Sequence, residues 1–228
     1  LIFCPWLKVG GADRLTLNLV KSLRQLFPKR SIGVITTEKI DSEWASKLPS
    51  DISYFDFGNS FLDLSFDERD ALFLRAIIQI NPKKIININS HKLYYILSQH
   101  SKSIATFSDI YCFIFCLFLT EEGQTRGFAV ENIPSIYDSL KGILTDNSNI
   151  INYICDNFGV DKRKFHTIYQ PVDTNNFIHR ELKNNQEINI LWASRIDDQK
   201  LPYVLEGIIK ESQNLGYKYH IYGSKAIN

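Results

Sequence analysis

The sequence contains no methionine, not even at position 1, and opens directly on the apolar run Leu1-Ile2-Phe3. The chain is therefore expected to lack its natural start and to be a piece of something longer. Cysteine is scarce: Cys4, Cys112, Cys116 and Cys155 form neither a CxxC pair nor a dense framework. That excludes a disulfide-built scaffold and points to reduced, mostly buried thiols of a cytosolic protein. The five histidines, at 91, 100, 166, 179 and 220, are scattered, without the tight spacing of a metal site. The longest apolar run, residues 110–119, is about half of what a membrane-spanning helix needs. Rich in aromatic and β-branched residues, it predicts a buried strand instead. No basic n-region or cleavage signal marks secretion. Charge of either sign is not in excess, with 26 Lys plus Arg against 25 Asp plus Glu, so nothing global draws the chain to nucleic acid or anionic membrane. No G-x-G-x-x-G is present, which removes the dinucleotide fingerprint.

What is there is an alternation of strand and helix. A hydrophobic fraction of 44% and a charged fraction of 22% are ordinary for a soluble globular chain, and 228 residues suit about one and a half domains. Residues 1–4 predict a strand that has lost its beginning. Gly10-Gly11 predicts a turn, tight enough to need positive φ, before a helix in which Leu15, Leu19, Leu23 and Leu26 recur at helical spacing. Asp13 falls in its first turn, where the macrodipole favours a carboxylate. Further strands are expected at 31–36, 52–57, 84–89, 111–118, 143–145 and 165–169, and residues 104–107 read either as a strand or as the end of a helix. Ser65-Phe66-Asp67-Glu68 has capping-box spacing, Asp146-Asn147-Ser148 supplies N-cap residues, and Gly159 stands where a helix ends in the left-handed region. Residues 121–126 predict an exposed turn. The polar stretch 173–187 predicts a linker, after which the pattern restarts with a strand at 188–193, a helix over about 200–214 and a strand at 217–222. Alternation of this kind predicts α/β domains with doubly wound parallel sheets, one on each side of the linker.

In open α/β sheets ligands bind outside the carboxyl ends of the strands, where helix N-termini expose unpaired N–H groups. Trp192-Ala193-Ser194-Arg195-Ile196-Asp197-Asp198-Gln199-Lys200-Leu201-Pro202 places Arg195 just past a strand and Lys200 about where a helix begins. Two cations flanking one turn can clamp a diphosphate, the Arg as a planar fork and the Lys as a mobile charge. The same residues can equally be solvated loop cations neutralised by Asp197 and Asp198, and spacing alone leaves both readings open.

This stretch resembles the start of the C-terminal domain of retaining glycosyltransferase family 4 (glycosyl transferases group 1). Gly10-Gly11-Ala12-Asp13 is similar to that family's GGAE/GGAD turn. The run from Leu144-Thr145-Asp146-Asn147-Ser148 through Phe158-Gly159-Val160-Asp161-Lys162 to Ile168-Tyr169-Gln170-Pro171-Val172-Asp173-Thr174, closed by Phe177, resembles the family's stretch ending in IPNGVDxxxF, with Gln170-Pro171 where Asn-Gly is usual. The matches span nearly the whole chain in the right order. The resemblance implies a GT-B fold of two Rossmann-like domains, the second incomplete. An acceptor-side domain occupies 1–172, the linker 173–187 and the start of a nucleotide-sugar-binding domain 188–228. It implies transfer of a sugar from a nucleotide-diphosphate sugar to a glycan, lipid-linked or other acceptor with retention, in glycan biosynthesis. Arg195 and Lys200 would bind the diphosphate, Gly10 and Gly11 would form a glycine loop facing the cleft, and no metal or other cofactor would be required. The place implied is cytoplasmic, with room for peripheral association at the inner face of the membrane and no nucleic-acid partner.

Two further residues enter through the resemblance as catalytic-site candidates. His91 follows the strand at 84–89, where the family often carries a histidine that positions the donor sugar; at a helix start a cap or surface role is the alternative. Asp109 follows Ser108 where many members carry His-Asp, and the serine turns the expectation toward an acceptor-side hydrogen bond. His166 reads as a satisfied sheet histidine, and Lys162, Arg163 and Lys164 as a solvated loop. The family's E-x7-E motif lies downstream of its R-x4-K, and the sequence ends at Asn228 before reaching it, so the chain by itself is expected to have little activity. Two other readings stay open: a GT-B-type nucleotide-sugar epimerase or phosphorylase, and a non-catalytic α/β binding module.

Overall fold

The computed structural model describes residues 1–120, 122–172, 174, 188–197 and 200–223. The chain divides into two compact units, Leu1–Pro171 and Val172–Asn228. Most of the expected linker, including Phe177 in the family-like stretch, lies outside the described residues.

The first unit runs β1 (Ile2–Cys4), α1 (Gly11–Leu26), β2 (Gly33–Thr36), β3 (Ser53–Asp56), α2 (Phe66–Ile80), β4 (Lys84–Ile88), α3 (His91–Ala105) and β5 (Asp109–Ile114). It continues through β6 (Phe118–Leu119), β7 (Thr125–Arg126), the short helices α4 (Phe128–Glu131) and α5 (Ile133–Ile136), β8 (Leu140–Thr145), α6 (Ser148–Phe158) and β9 (Phe165–Thr167). Seven strands form one sheet in the order β3-β2-β1-β4-β5-β8-β9, and every neighbouring pair is parallel. Such a sheet is covered on both faces, so its central strands are apolar at successive positions rather than alternately. Ile2 and Cys4 pack with Leu15, Val20, Val34 and Phe113 in one cluster. Phe3, between them on β1, points the other way, into the cluster with Phe73, Ile85, Leu93, Ile110 and Ile154. The doubly wound architecture predicted from the alternating pattern is therefore present.

Local signals act where their chemistry requires. Ser65 and Glu68 form a complete capping box at the start of α2. Asn147 caps α6 by accepting from the Asn149 N–H, and Gly159 closes that helix at φ 65°, a conformation open to glycine without a Cβ penalty. Of the two readings of residues 104–107, the helix end is the one that forms: they close α3 and make a turn, with Ile104 buried as a helical residue. One expectation is corrected. The apolar run from 110 leaves the sheet early: β5 ends at Ile114 because its partners end there, β4 with Ile88 opposite Phe113 and β8 with Thr145 opposite Ile114. Phe118 and Leu119 instead pair antiparallel with Arg126 and Thr125, and both are exposed. The cysteines divide accordingly: Cys4 and Cys112 are buried, Cys155 is half-buried and Cys116 is exposed.

The second unit, as described, has β10 (Asn189–Ala193), α7 (Pro202–Glu211) and β11 (Lys218–Tyr222). The two strands pair in parallel from Asn189 opposite Lys218 to Ala193 opposite Tyr222. This is the restarted β-α-β expected after residue 187. None of its described elements contains a buried residue.

Candidate functional site

Between β1 and β4 the strand order of the first unit reverses, and loops leaving two adjacent strands in opposite directions open a crevice at their carboxyl ends. The loop after β1 reaches Gly10 and Gly11, and the step after β4 reaches His91. The structure thus brings three of the candidate residues to one edge of one sheet. Beneath them lies a polar floor that the sequence reading did not single out. Asn87 and Ser90 are fully buried and Thr37 nearly so. The Thr37 and Ser90 hydroxyls are 2.8 Å apart, and the Thr37 hydroxyl donates to the Cys4 carbonyl at 3.3 Å. The Asn87 side-chain oxygen accepts from the Ser90 N–H at 2.9 Å. Asn89, between them, takes φ 60°, which asparagine tolerates better than most residues. The available signal was the polar run Asn87-Ile88-Asn89-Ser90 at the end of an otherwise apolar strand.

Ser90, not His91, caps α3, its hydroxyl accepting from the Leu93 N–H at 3.0 Å. His91 is the exposed first residue of the helix, its ring edge-on to Phe128 with centroids 4.6 Å apart. The cap alternative is thereby excluded, and the imidazole stands oriented by an aromatic neighbour.

The glycine pair differs from expectation in its reason. Gly10 has φ −173°, extended backbone open to any residue, and neither glycine is at positive φ. What Gly10 requires is space: a Cβ there would lie 2.3 Å from Oδ2 of Asp13, whereas a Cβ on Gly11 would meet nothing within 4 Å. Asp13 folds back over the turn and is only 6% exposed. Burial pushes its carboxyl up to about 6, opposed by the backbone N–H groups of Lys8 and of Asp13 itself. Desolvation outweighs the favourable helix start. Between the ordinary 3.8 and about 6 the folded chain holds a proton that the unfolded chain has lost. Stability therefore falls as pH rises through that window, and the loss persists above it. Asp13→Asn, which keeps an oxygen for the Lys8 N–H, is expected to raise the melting temperature at pH 8 by about 3 °C and to give no such gain at pH 4. Equal shifts at both pH values in thermal scans would show that the ionised carboxylate carries no penalty.

Asp109 is not brought to this edge. It is the first residue of β5, at the amino end of the sheet, where its carboxylate meets the Lys84 ammonium at 3.0 Å. Its carboxyl lies below the usual range, chiefly through that hydrogen bond. Asp109 thus opens a strand, and the residues before it end α3 and make a turn. Lys162, Arg163 and Lys164 are engaged locally, with Asn152, Asp161 and the Tyr137 carbonyl respectively.

In the second unit Arg195 follows β10 and Lys200 precedes α7, with Leu201 as N-cap and Pro202 as first helical residue. Asp197 organises the turn between them. One of its oxygens lies 3.3 Å from Nη2 of Arg195, and the Lys200 N–H donates to its other oxygen at 3.2 Å and to its carbonyl at 3.0 Å. The Arg195 side chain stays 57% exposed, and Lys200 is exposed. Partial neutralisation of Arg195 by Asp197 is thus realised; Asp198 lies outside the described residues. Among the described residues no group of three or more His, Cys, Asp or Glu is placed to hold a metal ion, and no helix is long and apolar enough to cross a membrane.

No protein-family model matches the chain, and no curated protein matches it in sequence. Solved structures do. The chain is similar to the apo form of the lipopolysaccharide outer core galactosyltransferase WaaB, with a TM-score of 0.64 at 15% identity over 99% of this chain and 67% of that one. It is similar to a glycosyltransferase from Rickettsia africae ESF-5, with a TM-score of 0.58 at 15% identity over 99% of this chain and 68% of that one. At such identities the likeness is one of fold: the chain has the α/β architecture of GT-B glycosyltransferases.

Proposed function

We propose that the chain belongs to a retaining glycosyltransferase of family 4 that moves a sugar from a nucleoside-diphosphate sugar to a glycan, lipid-linked or other acceptor in glycan biosynthesis. The observation that carries this reading is the turn between β10 and α7, in which Asp197 contacts the Arg195 guanidinium at one end and the Lys200 N–H at the other. On the proposed reading, both cations meet the diphosphate and stabilise the charge that develops as it leaves. The α7 macrodipole, positive at this end, adds to the same field. The mechanism assigns no step to a metal or other cofactor. The first unit takes the acceptor at its switch-point edge. There Gly10 and Gly11 let substrate approach the backbone, and His91 positions the donor sugar with its imidazole. Asp109 has no part in the mechanism, because it lies at the opposite edge of the sheet. Cytoplasmic action, with peripheral contact at the inner membrane face, belongs to this reading as well.

Calorimetric titration of the chain with UDP, ADP, GDP and dTDP is the direct test. Saturable binding of at least one is expected; binding of none would remove the basis of the proposal. In a catalytically competent form of the protein, the anomer first formed, read by NMR, is expected to match that of the donor, and inversion would overturn the retaining assignment.

A further inference from the structure

Three buried side-chain polar atoms have no hydrogen-bond partner among the described residues: Nε of Arg24, Oε1 of Glu38 and Nε of Arg69. Arg24 Nε lies 2.8 Å from the Asp51 carboxylate and is electrostatically paired. The other two belong to residues lining one cavity of about 300 Å³. The orphan atoms are themselves shut off from solvent, so a ligand in the cavity would meet the other atoms of these two groups. They are a carboxylate and a guanidinium, yet no ion pair joins them.

The cavity lies on the carboxyl side of the first unit's sheet. Glu38 and Lys39 follow β2, Arg69 is in the first turn of α2, and Lys92 is the second residue of α3. Arg69 is held in place, its Nη2 donating to the carbonyls of Phe57 at 3.3 Å and Gly58 at 3.0 Å, with the guanidinium over the Phe57 ring. Lys92 is committed elsewhere, paired with Asp70 and lying over the ring of Phe66 at 4.1 Å. Lys39 is exposed and makes no ion pair with a described residue. With Lys92 balanced by Asp70, the lining keeps Arg69 and Lys39 against Glu38, one positive charge in excess. Leu64 and Phe66 supply an apolar wall.

We propose that this cavity seats a single acidic sugar unit. A ligand hydroxyl donates to the Glu38 carboxylate, a carboxylate or phosphate on the same sugar accepts from Arg69 and Lys39, and the ring lies along Leu64 and Phe66. A guanidinium fixed by two carbonyls suits an anion, and an unpaired carboxylate suits a hydroxyl; a sugar bearing one acidic group presents both. The volume is at the lower end of small-molecule sites, about 300–1,000 Å³, and fits one ring rather than an oligosaccharide. That this ring belongs to the acceptor rests on the glycosyltransferase reading; the binding itself does not.

The test titrates the full chain, by NMR or calorimetry, with glucuronate, glucose 6-phosphate, glucose and inorganic phosphate, and separately with nucleoside diphosphates. At least one of the two acidic sugars is expected to saturate at low millimolar concentration, with glucose and inorganic phosphate at least about tenfold weaker. Glu38→Gln is expected to weaken the acidic sugar about tenfold. Lys39→Ala is expected to lower its preference over glucose about fivefold. Neither substitution removes Arg69, which supports the backbone, so both variants should keep the parent melting temperature. Inorganic phosphate binding as tightly as the sugars would reduce the site to an anion pocket and overturn the proposal. So would sugar binding indifferent to both substitutions, or no saturation up to about 50 mM. Nucleotide binding without acidic-sugar binding sinks this inference alone. Acidic-sugar binding without nucleotide binding sinks the glycosyltransferase reading and leaves the cavity assignment standing.

Discussion

Lys200→Ala is expected to weaken nucleoside-diphosphate binding by about tenfold to a hundredfold, the range for loss of one charge-assisted contact. Lys200 should be the more sensitive of the two cations. Arg195 already shares its charge with Asp197 at 3.3 Å, so a diphosphate must compete for it. The side chain of Lys200 is exposed, and only its backbone N–H is used by the turn. Truncating it removes charge while leaving the Asp197 hydrogen bond intact, so circular dichroism should be unchanged. Asp197→Asn completes the argument. It keeps an oxygen for the Lys200 N–H but releases Arg195, and should raise affinity for the diphosphate, most visibly at low salt where exposed charges are least screened. Calorimetry on the parent and both variants decides. Unchanged affinity in Lys200→Ala would return these residues to the solvated-loop alternative.

Gly58→Ala is expected to destabilise the first unit by about 3 kcal/mol, on the order of 10 °C in melting temperature. A Cβ at Gly58 would lie 1.8 Å from the Glu38 carbonyl oxygen, 2.3 Å from its carbon and 2.8 Å from its nitrogen. These are backbone atoms, and neither strand end can yield cheaply. The Glu38 N–H is bonded to the Pro5 carbonyl at 2.9 Å, and the Phe57 and Gly58 N–H groups both donate to Thr36 O, at 2.9 and 3.1 Å. Arg69 fastens the Gly58 carbonyl from α2. Gly11→Ala is the control: as the first residue of α1 with nothing within 4 Å of its Cβ, it should be neutral or slightly stabilising, by less than about 1 kcal/mol. Melting temperatures that fall equally in the two variants would overturn the close-approach explanation.

How far the residues alone lead is clear from particular places. The doubly wound sheet follows from alternating apolar runs and from punctuation with local chemistry, such as Ser65 with Glu68 or Gly159. The same reading left residues 104–107 open between a strand and a helix end and failed at 115–119, because a short apolar run fits a helix end, a strand or a hairpin equally well. Which one forms depends on where neighbouring strands stop, information held by residues 88 and 145. That Arg195, Gly10, Gly11 and His91 lie past the carboxyl ends of strands and Lys200 just before a helix was legible, because the alternating pattern fixes where each strand stops. The reason for Gly10 was not, since it is the folded position of the Asp13 side chain. Nor was the cavity, whose Glu38 and Arg69 are separated by thirty residues of chain and meet only through the fold.

The thinly covered β10–α7–β11 unit changes what any measured affinity at Arg195 and Lys200 will mean. Leu191 is 65% exposed, Ile221 50% and Ile208 52%, so little apolar area holds these strands and this helix together. A ligand that needs the turn formed binds only molecules in which it is formed, and its apparent dissociation constant rises by the reciprocal of that fraction. By linkage, the ligand in turn populates the ordered form. Protection of the β10 and β11 amides from hydrogen exchange should therefore increase on nucleotide addition, while β1 and β4, enclosed on both faces, stay as slow as before. Recognition and the folding of this unit are then one equilibrium.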